Sequence, residues 1–285
     1  MLERLTGAIE RHSTGFGSQT AVPRQTLVAL DEPIVPADLL YSPMVCFVVG
    51  GAKRSFAGER SWLVDTGDMF LNSVAMPVTA AFERLPYRSV VLHLEISALD
   101  DVLMDAGPQE LMEMQTTAPM TPGIVDAVTR WVALLDEPRD IKALAERIEG
   151  EILYRLLTSP LGPALRQWAH ADTAAARIRT AASWIVSHYA QPLRIDDLAA
   201  IAHMSPATLH RHFKTATGLS PLQFQKQMRL QEARRLLLRG SATAAQVAVA
   251  VGYASATQFN REYRRFYGLP PGRDTDRLLL SSVES

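Results

Sequence analysis

The sequence is poor in cysteine and contains no long apolar segment. A single cysteine, Cys46, among 285 residues excludes an intrachain disulfide and any zinc site built from several thiolates. No apolar stretch approaches the roughly 18 residues that cross a membrane, and charges interrupt the first seventeen residues where a secretory leader needs an apolar run. We therefore expect a cytoplasmic protein with no membrane partner.

Catalytic and metal-binding patterns are also scarce. Residues 1–120 hold two histidines, His12 and His93, whereas a metal centre in a β-barrel needs several converging histidine and carboxylate ligands. No Ser–His–Asp order, phosphate loop or dinucleotide fingerprint is present. The sequence predicts no catalytic residue, no metal and no cofactor, and hence not an enzyme.

Charge is distributed unevenly along the chain. Residues 1–171 hold 14 basic and 22 acidic side chains, whereas residues 172–277 hold 15 basic and 7 acidic ones. A basic C-terminal third on an acidic remainder is typical of a polyanion-binding module attached to a different kind of domain. Variation between domains is the simpler alternative.

Hydrophobic periodicity divides the chain into two parts. Residues 24 to about 96 read as short strands between turn residues, which favours a β-sandwich or small barrel. Helices are predicted over about 98–158, where the apolar stripe of the last helix (144–156) is either core or a subunit seam. The boundary between the parts is placed at 159–175, and the C-terminal part is predicted to be all helical.

One pattern occurs twice in the C-terminal part. LAAIAHMSPATLHRHFKTATG (198–218) and VAVAVGYASATQFNREYRRFYG (247–268) each read as an apolar helix, a tight turn, a serine and a second helix. These are the features of a helix-turn-helix unit. We predict units at about 195–215 and 243–267, joined by a linking helix at about 221–238 and contained in a domain at 173–275.

The turn of each unit requires particular residues. Gly252 tolerates the positive φ of such a turn, and His203 takes the same place in the first unit, which is less favourable but allowed. Ser205 and Ser255 are predicted to cap the second helices by accepting bonds from free backbone N–H groups.

The second helix of each unit carries polar side chains opposite its apolar ones. Arginine can bridge O6 and N7 of guanine, and a short capped helix fits the major groove of DNA. A merely solvated face needs neither the repeat nor the matched pair Arg211 and Arg261. Phosphate contacts are predicted for Ser205, Lys214, Ser255, Arg264 and Arg265. Further phosphate candidates, unless they pair with nearby acids, are Arg229, Arg234, Arg235 and Arg239.

These stretches resemble the AraC/XylS family of bacterial transcription regulators over about residues 175–275. The most specific parts are VGYASATQFNREYRRFYGLPPGR (251–273), LHRHFK and LSPLQFQKQMRLQEARRLL. The resemblance implies that six side chains stand where base-contacting residues usually sit, and two positions depart from the usual pattern. Ala207 offers only a methyl group where larger side chains are common, and His203 replaces a glycine. The six positions are Ala207, His210, Arg211, Thr257, Gln258 and Arg261.

The N-terminal part resembles the N-terminal domain of AraC-type regulators, through VVGGAKRSFAGERSWLVDTGDMFLNSVAMPV (48–78). The resemblance implies a cupin-like β-barrel with following helices that senses a ligand and dimerises, here residues 1–165. The expected fold class is α+β with two domains, the second all-α with two helix-turn-helix motifs.

Six residues are candidates for a ligand pocket, and the aromatic ones among them are equally explained as barrel core. Cys46 is either a small buried hydrophobe or an electrophile or redox sensor whose pKa is lowered by Lys53 or Arg54. The aromatic members would suit an apolar or aromatic small molecule. The candidates are Cys46, Phe47, Lys53, Trp62, Phe70 and His93.

The sequence therefore predicts a sequence-specific, double-stranded-DNA-binding transcriptional regulator. We expect an activator controlled by a small-molecule effector, which contacts RNA polymerase and forms a homodimer. Two alternatives stay open at this point: a cupin-type enzyme fused to a DNA-binding domain, and a sequence-independent architectural DNA-binding protein.

Overall fold

The computed structural model describes residues 2–13, 15–100, 113–170, 173–240 and 242–283. An antiparallel sheet with helices is followed by a helical C-terminal part, which confirms the predicted α+β class. The strands are β1 (Ser18–Gln19), β2 (Gln25–Leu30), β3 (Ala37–Tyr41), β4 (Met44–Ala57), β5 (Arg60–Asp65), β6 (Asp68–Asn72), β7 (Met76–His93) and β8 (Gln115–Pro119). The helices before the DNA-binding region are α1 (Leu2–His12), α2 (Ser97–Asp100), α3 (Pro122–Ala133), α4 (Pro138–Leu157) and α5 (Gly162–Ala169). The remaining helices are α6 (Ala174–Ser187), α7 (Ile195–Ile201), α8 (Pro206–Thr217), α9 (Pro221–Leu238), α10 (Ala244–Ala250), α11 (Ala256–Tyr267) and α12 (Pro271–Val283).

The two long strands β4 and β7 form the centre of the sheet. The order is β1-β2-β7-β4-β6-β8, with β3 paired to β7 and β5 paired to β4. All the pairings are antiparallel, and the ladder between β4 and β7 is irregular between Val48 and Lys53. This irregularity determines which side chains of β4 face the two sides of the sheet.

The two faces of the sheet belong to different hydrophobic cores. Val45, Phe47 and Val49 face α1, α3, α4 and α5, and we call this side the helix face. Cys46 and Val48 point to the opposite side, which we call the cavity face. Neighbouring residues of a strand point to opposite faces, so the alternation of β4 feeds both cores.

Several elements differ from the sequence-based expectation. The stretches VTAAFE and RSVVLHLE read as two of the short strands that the sequence predicts, whereas both belong to the single strand β7, which ends at His93. The predicted strand region began at 24 and ended at 96, whereas β1 precedes it and β8 follows it by pairing with β6. Helix α12 continues to Val283, beyond the expected domain end at 275. The helix predicted from Leu99 falls largely on residues 101–112, outside the described part of the chain.

The apolar stripe of α4 is core. Ile152 and Leu156 are fully buried against the sheet, and Leu144 and Ile148 pack at the edge of the same cluster. The seam interpretation of these four residues is therefore not supported by their position. Helix α5 occupies part of the expected boundary at 159–175 and buries Leu165 and Trp168 in this core.

The cavity face and the first helix-turn-helix unit share one core. Val48 and Phe70 of the sheet belong to the same cluster as Ile178, Leu209 and Phe213 of the helical part. The second unit has a separate, smaller core that includes Leu230, Phe259 and Tyr263. Within the described ranges, no helix combines the length and the apolar content needed to cross a bilayer.

Candidate DNA-binding face and ligand cavity

The turns of the two units have the predicted backbone. His203 adopts φ 50° and Gly252 adopts φ 86°, so both copies use the left-handed conformation at the same place. A Cβ at Gly252 would lie 1.9 Å from the carbonyl oxygen of Ala190, just after α6. At Gly252, both the positive φ and the close approach of Ala190 exclude a side chain. At His203 only the positive φ is unfavourable, and the structure tolerates it.

The capping serines and the core residues of each unit also confirm the expectation. Ser205 accepts a bond from the backbone N–H of Thr208, and Ser255 accepts one from that of Gln258. Both recognition helices, α8 and α11, end at a left-handed glycine. Their buried faces carry Leu209 and Phe213 in α8, and Phe259 and Tyr263 in α11.

The opposite faces of α8 and α11 are open to solvent. The six predicted base contacts and the five phosphate contacts predicted in the two recognition regions are exposed there. Among the described residues, no carboxylate forms an ion pair with Arg211 or Arg261; the side chain of Arg211 approaches only the ring of His212, at 3.4 Å. Burial and the neighbouring Arg211 lower the pKa of His212, so the positive charge of the face comes from its arginines and Lys214. The exposed set is Ala207, His210, Arg211, Thr257, Gln258 and Arg261, with Ser205, Lys214, Ser255, Arg264 and Arg265.

Three of the further phosphate candidates are engaged within the chain. Arg229 donates to the carbonyl oxygens of Tyr189 and Gln191, at 2.6 and 2.8 Å. Arg234 is buried between Asp274 and Asp38, and Arg235 pairs with Glu232. Arg229 and Arg234 of the linking helix α9 therefore hold it to neighbouring elements, and Arg235 is paired within the helix.

A cavity of about 200 Å³ opens on the cavity face of the sheet. Its wall is mostly apolar and aromatic, with Leu39, Phe82 and Val91 among its residues. The polar groups are few. His93 is fixed at the wall by Thr26 and Ser42, at 3.0 and 3.1 Å, and burial lowers its pKa, so the imidazole is neutral at neutral pH.

Lys53 and Cys46 meet at the inner end of the cavity. The Nζ atom of Lys53 lies 3.8 Å from the Cys46 sulfur, and the Tyr87 hydroxyl lies 3.7 Å from the same sulfur. The two residues are seven apart in β4, a spacing that puts side chains on opposite faces of a regular strand. The irregular ladder between Val48 and Lys53 changes this alternation and turns Lys53 inward.

The other pocket candidates lie at different depths. Lys53 and His93 line the cavity, and Cys46 lies directly behind Lys53. Phe70 contacts Tyr41 with ring centroids 6.1 Å apart, and Trp62 packs on the far side of Phe70. Phe47 lies on the helix face, because it follows Cys46 in a regular part of β4.

Sequence reasoning missed the tyrosines of this site. Tyr41 and Tyr87 line the cavity and are both buried. Tyr41 ends a short edge strand, β3, that the sequence does not announce, and Tyr87 lies within the strand that read as two. Alternation along β4 would have separated Phe47 from Cys46 before the structure was known.

The edge strand β3 connects the cavity to the DNA-binding part. Leu39 and Tyr41 line the cavity, whereas Asp38 accepts bonds from Arg234 at 3.0 Å and from the Tyr267 hydroxyl at 2.7 Å. Burial and the Asp38 charge raise the pKa of Tyr267, so its hydroxyl stays a donor. The Asp38 carboxylate therefore joins β3 to α9 and α11.

The fold and these two sites define a regulator with a sensor sheet and paired helix-turn-helix units. A family model described as the AraC-type transcriptional regulator N-terminus matches residues 21–164, half of the chain, and a helix-turn-helix domain model matches residues 198–277. The chain belongs to the AraC-type transcriptional regulators, as the sequence predicted.

Relatives and solved structures agree with this assignment. The chain is 28% identical over 156 residues to the HTH-type transcriptional activator RhaS of Escherichia coli, covering 53% of this chain and 56% of that relative. It thus spans about half the length of the curated relatives it matches. Crystal structures of ToxT from Vibrio cholerae share the fold at 11% identity. An apo form of ToxT with one substitution has a TM-score of 0.56 over 92% of this chain and 99% of its own, and wild-type ToxT with bound unsaturated fatty acid has 0.53 over 88% and 94%.

Proposed function

We propose that this protein is a sequence-specific DNA-binding transcriptional activator whose activity is controlled by a small molecule. The observation that carries the proposal is the pair of exposed recognition faces on α8 and α11, which present Arg211 and Arg261 without a carboxylate partner among the described residues. The predicted base and phosphate contacts are part of the proposal, as are a DNA-binding domain at 173–275 and a sensing domain at 1–165.

Regulation by a ligand is supported by the cavity and by its link to α9 and α11. ToxT, which shares the fold, has been crystallised with a bound unsaturated fatty acid. In our proposal, effector binding displaces β3, and Asp38 transmits the change to Arg234 and Tyr267. This is a coupling between two sites in the thermodynamic sense.

Activation and assembly are further parts of the proposal, supported by a relative and by the exposed side of α4. RhaS is an activator, and we propose that this chain also activates transcription by contacting RNA polymerase in the cytoplasm. We further propose a homodimer through α3 and α4. Its contact would use the outer side of α4, where Tyr154 is 53% exposed, because the inner side is committed to core.

Selection of DNA from a randomised duplex library by the full-length protein tests the proposal. A recovered site with two short blocks about one helical turn apart is the expected result, since paired recognition helices enter successive major grooves. Equal recovery of all sequences would instead identify an architectural binder and contradict the proposal.

Arg261→Ala sharpens this test. Loss of a bidentate base contact is expected to weaken binding to the selected site by about 1–3 kcal/mol and to relax the choice at one base pair. The matched control is Arg235→Ala, because Arg235 is already paired with Glu232 and is expected to change affinity little. Equal weakening of every sequence by Arg261→Ala would show a phosphate contact only. Affinities are measured by fluorescence anisotropy at fixed salt.

A further inference from the structure

Lys53 is an unusual buried cation. Its side chain is 6% exposed, and its Nζ atom contacts the Cys46 sulfur at 3.8 Å and lies over the rings of Tyr41 and Tyr87, 5.3 and 5.9 Å from their centroids. Among the described residues, no aspartate or glutamate forms an ion pair with it. The buried arginines Arg88 and Arg234, by contrast, each form an ion pair with a carboxylate.

A buried ammonium group without an anion is energetically unfavourable. In proteins, the free-energy cost of removing a charge from water is compensated by a counter-charge and by hydrogen bonds. Attraction to the tyrosine rings compensates only part of this cost. Burial lowers the pKa of Lys53, whereas the ionisable Cys46, Tyr41 and Tyr87 raise it, and the net direction is upward. The amino group has three N–H donors, and its contacts with the Cys46 sulfur and the two tyrosines leave hydrogen-bonding capacity for a further partner.

The amino group borders an apolar space of limited size. The cavity of about 200 Å³ is walled by Val28, Phe82 and Val91 beyond the polar end. The hydroxyl of Ser89, also at the wall, is buried beside Tyr87. An apolar cavity of about 150 Å³ is known to hold benzene, so this one has room for a ring or a short chain with a small head group.

We propose that the cavity binds a small monoanion, an aromatic or short aliphatic carboxylate, whose head group is bound by Lys53. The inference rests on the proposed effector control and names the ligand class of that same site. The carboxylate supplies the missing counter-charge, and the apolar part of the ligand fills the space lined by Phe82 and Val91. A neutral molecule of the same shape gains the apolar contacts but leaves the ammonium unpaired.

Calorimetric titration of the full-length protein with matched pairs tests this inference. The probes are benzoate against benzamide and hexanoate against hexanamide, which share shape and differ in charge. We expect each anion to bind about ten- to a hundredfold more tightly than its amide, as is typical for hydrogen bonds to charged groups. Equal affinities within a pair, or no binding of either anion, would overturn the inference.

Lys53→Met identifies the group responsible. It is expected to abolish the preference for the anion while leaving amide binding unchanged, and to keep or raise the thermal unfolding midpoint of the free protein because an unpaired buried charge is removed. Lys142→Met, at an exposed lysine, is the matched control and is expected to keep the preference. Lys53→Gln replaces Lys53→Met if the latter does not fold. A preference that survives the loss of Lys53 would overturn the assignment.

DNA selection with the same proteins separates the two proposals. Specific DNA binding by a protein that shows no preference for anions would refute this inference and leave the proposed function intact. Absence of specific DNA binding by the parent protein would refute the proposed function, whatever the cavity binds.

Discussion

The two helix-turn-helix units have the same local architecture but are held by different parts of the molecule. The first is joined to the sensor through the backbone at the end of α8, where Met114 N–H donates to the Ala216 carbonyl at 3.1 Å and Arg60 donates to the Thr215 carbonyl at 3.0 Å. Its core is continuous with the cavity face. The second has its own core and is attached to the sheet, among described polar contacts of α10 and α11, through Tyr267 and Asp38.

Because of this difference, we expect the recognition helices α8 and α11 to differ in mobility. A recognition helix that shares its core with the sheet moves only with the sheet. The described polar contact between α11 and the sheet depends on one carboxylate and is lost when that carboxylate moves, so we expect regulation to act first on the second unit. Three substitutions test the comparison.

Gly252→Ala is expected to have the largest effect. The new Cβ would meet the Ala190 backbone at 1.9 Å at a positive φ, so the contact between this turn and the end of α6 has to open. We expect the free energy of unfolding to fall by about 3 kcal/mol or more, measured by urea denaturation. Gly268→Ala is the control, because Gly268 has a similar φ of 81° and open space around it; its loss is expected to be about 1 kcal/mol. Equal losses would show that contact with Ala190 is unimportant.

Asp38→Ala is expected to separate the two units. Removal of one partner of a buried ion pair is destabilising, but Arg234 keeps its bonds to Asp274, so we expect a loss of about 2 kcal/mol. Hydrogen exchange should show faster opening of α11, with α8 unchanged. Asp276→Ala, at an exposed aspartate, is expected to have no such effect. Equal loss of protection in α8 and α11 would contradict the proposed difference in attachment.

His203→Gly is expected to have the smallest effect and the opposite sign. The residue holds φ 50°, so glycine relieves strain and should raise the free energy of unfolding by about 0.5–1 kcal/mol in urea titrations. His210→Gly on exposed α8 is the contrast, because glycine inside a helix costs about 1 kcal/mol. A destabilising His203→Gly would mean that the imidazole makes a favourable contact in the turn.

The local features of the DNA-binding part were predictable because they depend on short-range chemistry. Gly252, the capping Ser205 and Ser255, and the apolar pair Leu209 and Phe213 each act within one or two helical turns. The extent of the closing helix α12 was not predicted, because the domain was expected to end at 275. Its Asp274 is fully buried under Arg234 and Tyr263, a long-range arrangement that no local pattern reports.

The sensor part was predicted less completely because its pairings are long-range. Strand β8 has the polar sequence QTTAP. It is a strand because it pairs with the edge of β6 that faces away from β4. The role of β3 was not predictable for the same reason, because Asp38 and Tyr41 have their roles through contacts with residues distant in the sequence. The candidates Lys53 and His93 were chosen by chemistry alone, and the structure places both at the cavity wall.

The irregular segment of β4 restricts substitution at Gly51 and at Lys53 in different ways. Gly51 holds φ 72°, and a side chain there would lie 2.3 Å from the Arg84 carbonyl oxygen, so the backbone frame that turns position 53 inward is resistant to substitution. Position 53 does not share this backbone restriction, because Lys53 does not hold a positive φ. In our proposal, replacement of Lys53 by a neutral or acidic residue would therefore change the class of effector, while Gly51 keeps the backbone of the sheet unchanged.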